Sequence, residues 1–562
     1  MNITPGTTNV PPTVQDSPSH HDEPAVVRSP THPEFSLGRR GILIFVTLSI
    51  LTMMVALDGT SISVALPIIS HDLHGTAIEA FWAGTSFLLC STVFQPTFAS
   101  FSNIFGRRFM VLAAIILFFV GTVVASIAHG FRELLVGRSV QGVGGGGIIA
   151  LSEVIVTDIV PLRLRGQYFG ILSAMWSVGS VTGPILGGGF SQNVDWRWVF
   201  YINFPFIGVA VVLVFLFLRL QSVQTSLITK LRQIDYVGTV LFTGSVSSFL
   251  IPLTWGGVVY PWGSWHTLAP LFIGFVGLLA FAAFEYYIAK DPIIPPAIFN
   301  NRTASITFIG TILQGLVLWC ALYYLPLYYE TVNEFNPILA GIALFPETFT
   351  VAPCAVFTGM FVSVTGRYRG AIWLGWILST LGTGLLCLMK VHTSTTAWIF
   401  LNIIPGVGLG VLFPALAFGV QASASNESLA IAVAMFSFFR AFEQTIGVAV
   451  GGVVFQNYMY TNLHKYHTLA PMAREYSKDA TGLVQIVKAM SNLEDKARLQ
   501  EAYTDSLRVV WAVCCVVCGV ALVLSFGTQR YSLDRALESD QGLATCNMVN
   551  ADEGKGSSVS AS

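Results

Sequence analysis

Charge is what this chain has least of. Lys, Arg, Asp and Glu make up 10% of its 562 residues, against about 25% in a soluble globular protein, and that shortfall excludes an ordinary soluble enzyme. Seven of the charges fall in residues 1–41, thirteen in 456–508 and eight in 528–562. The net charge of -1 offers no basic field for nucleic acid, so no nucleic-acid partner is expected. No GxxxxGK phosphate loop occurs, which argues against a self-contained ATP-driven pump, and no HExxH pair suggests a metalloprotease. Gly142-Val143-Gly144-Gly145-Gly146-Gly147 contains a formal GxGxxG, but it lies inside an apolar run where close helix packing explains it better than a dinucleotide does. No catalytic constellation, metal set or cofactor site is visible.

What the chain does have is hydrophobic length: 53% of its residues are apolar. Fourteen runs approach the ~20 residues that a bilayer-spanning helix needs. They cover 42–66, 81–101, 109–128, 133–156, 168–190, 199–218, 236–255, 268–288, 304–325, 341–363, 371–389, 398–420, 430–455 and 508–527. Gly, Pro, Arg or polar clusters end each one. The expected fold is an all-α membrane protein embedded in a lipid bilayer, with fourteen transmembrane helices. Residues 1–40 read as a disordered tail rich in Pro, Ser, Thr and His, with no signal peptide, and 528–562 as a second tail.

Orientation follows from the basic residues of the short loops. One set of alternate loops holds Arg39, Arg40, Arg107, Arg108, Arg163, Arg165, Arg219, Lys230, Arg232, Lys290, Arg302, Arg367 and Arg369, whereas the opposite set offers Arg132, Arg197 and Lys390. Both termini are therefore expected in the cytoplasm, and the long segment 456–507 outside, partly helical. None of the eight cysteines lies in that outer segment, so no disulfide is expected, and Cys515-Val-Val-Cys518 reads as packing inside an apolar helix. Three glycosylation sequons, beginning at Asn2, Asn301 and Asn426, fall on the cytoplasmic side and are expected to stay bare.

An internal repeat organises these helices. A shift of 264 residues lays Gly142 to Gly146 over Gly406 to Gly410, and Gly183 to Gly188 over Gly447 to Gly452. With a slip of four residues, Phe101 to Arg107 also matches Phe361 to Arg367. Equivalent helices are displaced by eight, where six would serve two six-helix halves, so two extra helices stand between them. The expected organisation is six plus two plus six: a first bundle over 41–218, a linker with two helices over 219–303, and a second bundle over 304–527.

Ionisable residues inside the spans are costly in lipid and are functional hypotheses by default. They are Asp58, Arg138, Glu153, Glu347, Arg440 and Glu443. Asp58 lies about 12 Å from the outer end of the first span and Arg138 roughly 8 Å from that of the fourth, at comparable depth. Arg440 and Glu443, three apart on one helix, can neutralise each other. By the repeat, Glu443 stands where the first half has Gly179. In the fifth span, Gly179, Gly183 and Gly187 recur every four residues on one face, with Pro184 and Gly188 beside them, so a neighbouring helix can approach closely. Gln141, Trp176 and Phe438 are weaker candidates for lining a substrate cavity.

Specific segments then carry a resemblance. Phe101-Ser102-Asn103-Ile104-Phe105-Gly106-Arg107-Arg108 resembles the loop motif of the major facilitator superfamily, which in that family pins the inward gate. Here Ala99 stands where the motif usually has Gly, and Asn103 where it usually has Asp, which removes the charge from that position. Gly179-x-x-x-Gly183-Pro184-x-x-Gly187-Gly188 resembles the motif of the drug:proton antiporter branches. Leu57-Asp58-Gly59-Thr60 through Pro67 and Gly137-Arg138-Ser139-Val140-Gln141-Gly142 resemble signature segments of fourteen-helix antiporters of the fungal toxin and multidrug efflux type.

That resemblance, covering residues 40–530, implies an exporter of amphipathic drugs, toxins or secondary metabolites, coupled to protons through the fourth-span Arg138. The mechanism it suggests has Asp58 exchanging a proton against substrate while Arg138 holds the empty carboxylate. The location implied is the plasma membrane, with the vacuolar membrane as alternative, and the expected state is a monomer. The competing readings are an uptake permease for a nutrient such as a siderophore or amino acid, and a non-transporting sensor.

Overall fold

The computed structural model describes residues 37–219, 226–257, 259–477 and 480–534, and its regular elements are helices apart from an isolated bridge between Gly256 and Tyr260. The tail expected over 1–40 lies outside the described residues up to position 36. So do Cys546 and the chain beyond 534. In chain order the main helices are α1 (Arg39–Asp72), α2 (Ala77–Val93), α3 (Gln95–Phe105), α4 (Arg107–Ser126), α5 (Phe131–Ile159), α6 (Arg165–Asn193) and α7 (Asn203–Phe217). Two helices follow, α8 (Tyr236–Trp255) and α9 (Trp265–Tyr287). Then come α10 (Arg302–Thr331), α11 (Phe345–Thr365), α12 (Tyr368–Leu386), α13 (Thr395–Ser423), α14 (Leu429–Leu463), α15 (Ala480–Ala489) and α16 (Leu493–Ser525).

Among the described residues, twelve helices are long and apolar enough to cross a bilayer. The other two expected spans are present in altered form. The second is split into α2 and α3, because Gln95-Pro96 removes a backbone donor and a new helix starts after Phe94. The eleventh is α12, whose 19 residues are diluted by Gly, Ser and Thr.

Packing repeats as the sequence repeats. α1 packs on α6 as α10 packs on α14, α4 on α5 as α12 on α13, α2 on α5 as α11 on α13, and α1 on α7 as α10 on α16. Single glycines carry the match. Gly142 closes on the carbonyl of Phe87 as Gly406 closes on that of Glu347, and Gly146 closes on Ser91 as Gly410 closes on Val351. A Cβ at any of these would overlap backbone, so the helices sit at a separation that only glycine permits.

The two extra helices pack on each other, and α8 also touches α2 and α14. Aromatic rings make that contact: Trp82 with Trp255 at 6.0 Å, Phe242 with Phe438 at 5.5 Å and Phe249 with Phe442 at 5.9 Å. The opposite face, with Leu268, Phe272, Ile273 and Leu279 of α9, is exposed.

The segment 456–507 is more helical than its composition suggests. α14 continues to Leu463, and α16 starts at Leu493, where the Asn492 side chain accepts from the amides of Glu494 and Asp495. The polar first turns of α16 are pinned to the end of α10. Lys496 pairs with Glu334 at 2.8 Å, and Gln500 donates to the carbonyl of Thr331 at 3.1 Å.

Candidate functional site

Asp58 and Arg138 come together. On α1 and α5 respectively, both are fully buried, and Arg138 Nη1 lies 2.6 Å from Asp58 Oδ2. The other carboxylate oxygen accepts from Gln141 Nε2 at 2.8 Å and Asn203 Nδ2 at 2.7 Å. Gln141 is itself fixed, accepting from Arg138 Nη1 at 2.6 Å and donating to Thr122 Oγ1 at 2.9 Å. The guanidinium lies 4.3 Å from the centre of the Phe87 ring, a cation–π contact strengthened by the burial of both groups. Three donors on one buried carboxylate, one of them charged, make a compensated site inside the membrane. Arg138 Nη2 is left without a partner.

At the end of the helices that carries the basic loops, Gly106 adopts φ of 93° between α3 and α4, a conformation that favours glycine. That turn brings Arg107 onto Asp158 of α5 at 2.9 Å, Ser102 at 2.5 Å and Asn103 at 2.6 Å. Asn103 thus contributes as a neutral acceptor, and the charge it lacks is supplied by Asp158. Arg108 points elsewhere, donating to the carbonyl of Phe215 at 3.0 Å. Ala99 is fully buried and packs with Val154, Ala430 and Ala434 in a seam between α3, α5 and α14.

The same end is closed across the two halves. Arg163 donates to the carbonyls of Ser363 at 2.6 Å and Val364 at 2.8 Å and pairs with Asp534 at 2.9 Å. Arg165 reaches Gln421 at 3.3 Å, and Gly166 lies against Gly359 and the ring of Phe418.

On α6, the glycine face is the buried one. Gly179 meets the carbonyl of Met53, Gly183 meets Thr60 and Leu57, and Gly187 meets the backbone of Ser61. Gly188 touches only the Val64 side chain, and Pro184 sits inside the helix. Trp176, on another face of α6, is 37% exposed. Phe438 is a packing residue against Phe242 and Phe439, and Gln141 belongs to the Asp58 cluster, so neither lines open space. An apolar groove of about 610 Å³, open to the outside, lies at the opposite end of the second half, lined by Phe335, Leu339, Phe345, Phe349, Trp398 and Ile399.

Arg440 does not turn to Glu443. Its Nη1 faces Glu153 Oε1 of α5 at 3.4 Å, and its guanidinium lies 3.9 Å from the centre of the Phe413 ring. Glu443 is buried against Gly315 of α10, and its Oε2 has no partner. Glu347 is fully buried with both oxygens unpartnered. Nearby, Asn402, which the repeat aligns with Arg138, donates to the Tyr329 hydroxyl. In the linker, Glu285 is 4% exposed, and the carboxyls of Asp235 and Glu285 converge at Gly238. Asp235 caps α8 through the amide of Gly238.

Sequence reasoning missed Asn203 and Asp158. Asn203 is a lone amide near the start of an otherwise apolar run, and Asp158 is an acid two residues past the end of the fourth run; both signals stood in the sequence. Among the described residues no group of three or more His, Cys, Asp or Glu is arranged to hold a metal.

The profile of the Major Facilitator Superfamily matches residues 48–447. The chain is 52% identical over 514 residues to "MFS transporter L2" of a Phoma species, covering 92% of this chain and 86% of that one. It is 36% identical over 528 residues to "MFS-type efflux pump LUC4" of a Fusarium species, covering 92% and 93%. Among solved structures, the proton:xylose symporter XylE superposes with a TM-score of 0.52 at 12% identity, over 82% of this chain and 98% of that one. At that identity the likeness is one of fold.

Proposed function

The chain belongs to the major facilitator superfamily, and from that premise we propose that it is a secondary active exporter of amphipathic small molecules, driven by protons moving the other way. Export is supported by the efflux names of its relatives. Proton coupling is carried by one observation above all, the buried Asp58–Arg138 pair with Gln141 and Asn203 around it. A charge pair costs too much in a membrane interior to be kept idly.

The mechanism is alternating access by rocking of the two halves. With the basic end closed by Arg163 and Arg165, a proton arriving at Asp58 neutralises the carboxylate and frees Arg138 from it. Substrate and proton thereby compete for the same conformational cycle. The glycine face of α6 keeps α1 and α6 moving as one body, because no side chain separates their backbones. The open apolar groove beside Trp398 suits a substrate with a hydrophobic body better than a sugar or an inorganic ion. The basic end faces the cytoplasm by the loop-charge rule, the protein acts as a monomer, and the plasma membrane is its site.

Whole-cell accumulation of a panel of amphipathic dyes tests export. Cells making the protein accumulate less dye than cells making the Asp58→Asn variant, and a protonophore removes the difference. Greater accumulation in the cells making the unaltered protein would make it an uptake permease.

A further inference from the structure

The Asp58 cluster lies within the first half, whereas a second intramembrane charge group bridges the two halves, and it has an odd number of members. Arg440 of α14 stands between two acids: Glu153 of α5, on the other half, and Glu443, one turn further along its own helix. Arg440 is the one charged group acting on Glu443 among the described residues, and the one acting on Glu153. On its α10 side Glu443 meets Gly315, which presents no charge.

Space for Glu443 is built in. Its repeat equivalent, Gly179, packs on Ala56 of α1. Gly183 meets the carbonyl of Leu57 as Gly447 meets that of Leu316, so Gly315 stands where α1 has Ala56. The small residue has changed helices: Gly179 with Ala56 in the first half has become Glu443 with Gly315 in the second. A Cβ on Gly315 would collide with the Glu443 carboxyl.

We propose that Arg440 is a moving cation, held by Glu153 while the basic end is closed and passed to Glu443 when it opens, so that Glu443 binds and releases a second transported proton beside the one at Asp58. The inference rests on the antiport reading and names the group that couples it to gating.

One cation cannot compensate both carboxylates, and a carboxylate left alone in a dry interior, as Glu443 would be, is stable only as the neutral acid. In the closed arrangement the ion pair is Glu153 with Arg440, and Glu443, with Oε2 unpartnered, holds a proton. Glu153 and Arg440 lie on different halves, so parting of the halves at the basic end separates them. Arg440 then has one acid left in reach, three residues away on its own helix. Its arrival favours the ionised Glu443, and the proton leaves to water at the basic end, while Glu153, nearer that end, becomes hydrated. At Glu443 one proton is bound and one released per cycle, and no other bond changes there. Since opening toward the cytoplasm is the step that must discharge an incoming proton, the swap has the sign that proton-driven export requires.

The test needs no knowledge of the substrate. The protein in lipid nanodiscs is titrated with pH while the infrared carbonyl band of protonated carboxyls is followed, in wild type, Glu443→Gln, Glu153→Gln and Arg440→Gln. A band lost in Glu443→Gln is expected. Its midpoint should move down by one pH unit or more in Glu153→Gln, a tenfold loss of proton affinity because Arg440 is free to pair, and up in Arg440→Gln. Glu443→Asp, which keeps the acid, should restore the band if Glu443→Gln folds poorly. A spectrum unchanged by Glu443→Gln, or a midpoint unmoved by Glu153→Gln, overturns the proposal. In a second arm, liposomes are loaded with rhodamine 6G. If wild type moves the dye without any proton movement, the antiport reading fails, while the infrared titration still decides the cation swap. If wild type couples the two and Glu443→Gln moves fewer protons per dye, both stand, whereas an unchanged ratio in Glu443→Gln overturns the proposal.

Discussion

Asp58 and Arg138 are 80 residues apart in the chain and 2.6 Å apart in the fold, and neither side chain touches solvent. A compensated pair of this kind is costly to break and much less costly to delete. Arg138→Gln leaves a buried carboxylate without its cation and should destabilise the protein by about 3–5 kcal/mol. The double variant Asp58→Asn with Arg138→Gln should lose less than Arg138→Gln alone. Thermal unfolding in lipid nanodiscs measures the cycle, and strictly additive losses would mean the two charges do not interact.

Two glycines on α6, two positions apart, should behave oppositely. A side chain at Gly187 meets the backbone of Ser61, which cannot rotate away, whereas one at Gly189 meets nothing within contact distance. Gly187→Ala should cost on the order of 1–3 kcal/mol and abolish dye export. Gly189→Ala should stay within about 0.5 kcal/mol of wild type and export normally.

Arg163 ties the basic ends of the two halves by two carbonyl bonds and an ion pair with Asp534. Arg163→Ala should shift the gate equilibrium toward opening by roughly tenfold, given about 1.5–3 kcal/mol for a charged hydrogen bond. Spin labels placed on the exposed positions Phe109 and Phe361, in a cysteine-free background, report it. A longer-distance population should appear beside the wild-type one, and an unchanged distribution would remove Arg163 from the gate.

At the other end, Asp72 accepts from the indole of Trp196 at 2.8 Å and pairs with Arg197 at 3.4 Å. The indole bond first, and the guanidinium after it, hold its carboxyl below the usual carboxylate range. A depressed folded value means the stabilisation is complete above the ordinary value of about 3.9 and is lost as pH falls through the lower folded value. Wild type and Asp72→Asn should therefore differ by a constant amount from pH 5 to 8 and converge below about pH 4. Because the Asp72 side chain is half exposed, the constant difference should be small. Melting curves across that range check the sign.

Much of this was legible in the sequence because lipid is a strict solvent: it forces apolar runs into helices, and the repeat then fixes which helices are equivalent. What hydropathy does not record is where a helix continues into water. The runs ended at 455 and resumed at 508, yet α14 continues to Leu463 and α16 begins at Leu493. The Asn492 cap with Asp495 three residues on was the readable sign. The break after Phe94 was likewise written in Gln95-Pro96. The depth argument put Asp58 and Arg138 at one level without establishing contact. Arg440 misled because three-residue spacing favours Glu443, whereas the fold offers a second acid, Glu153, from a helix 287 residues away in sequence, which no local pattern can reveal.

The most direct measurement is internal pH in liposomes containing the purified protein, followed while amphipathic dyes and metabolites cross the membrane. Antiport requires proton flow opposite to the transported compound, abolished in Asp58→Asn. Proton flow in the same direction as the compound, or compound flow that is the same with and without Asp58, would contradict it.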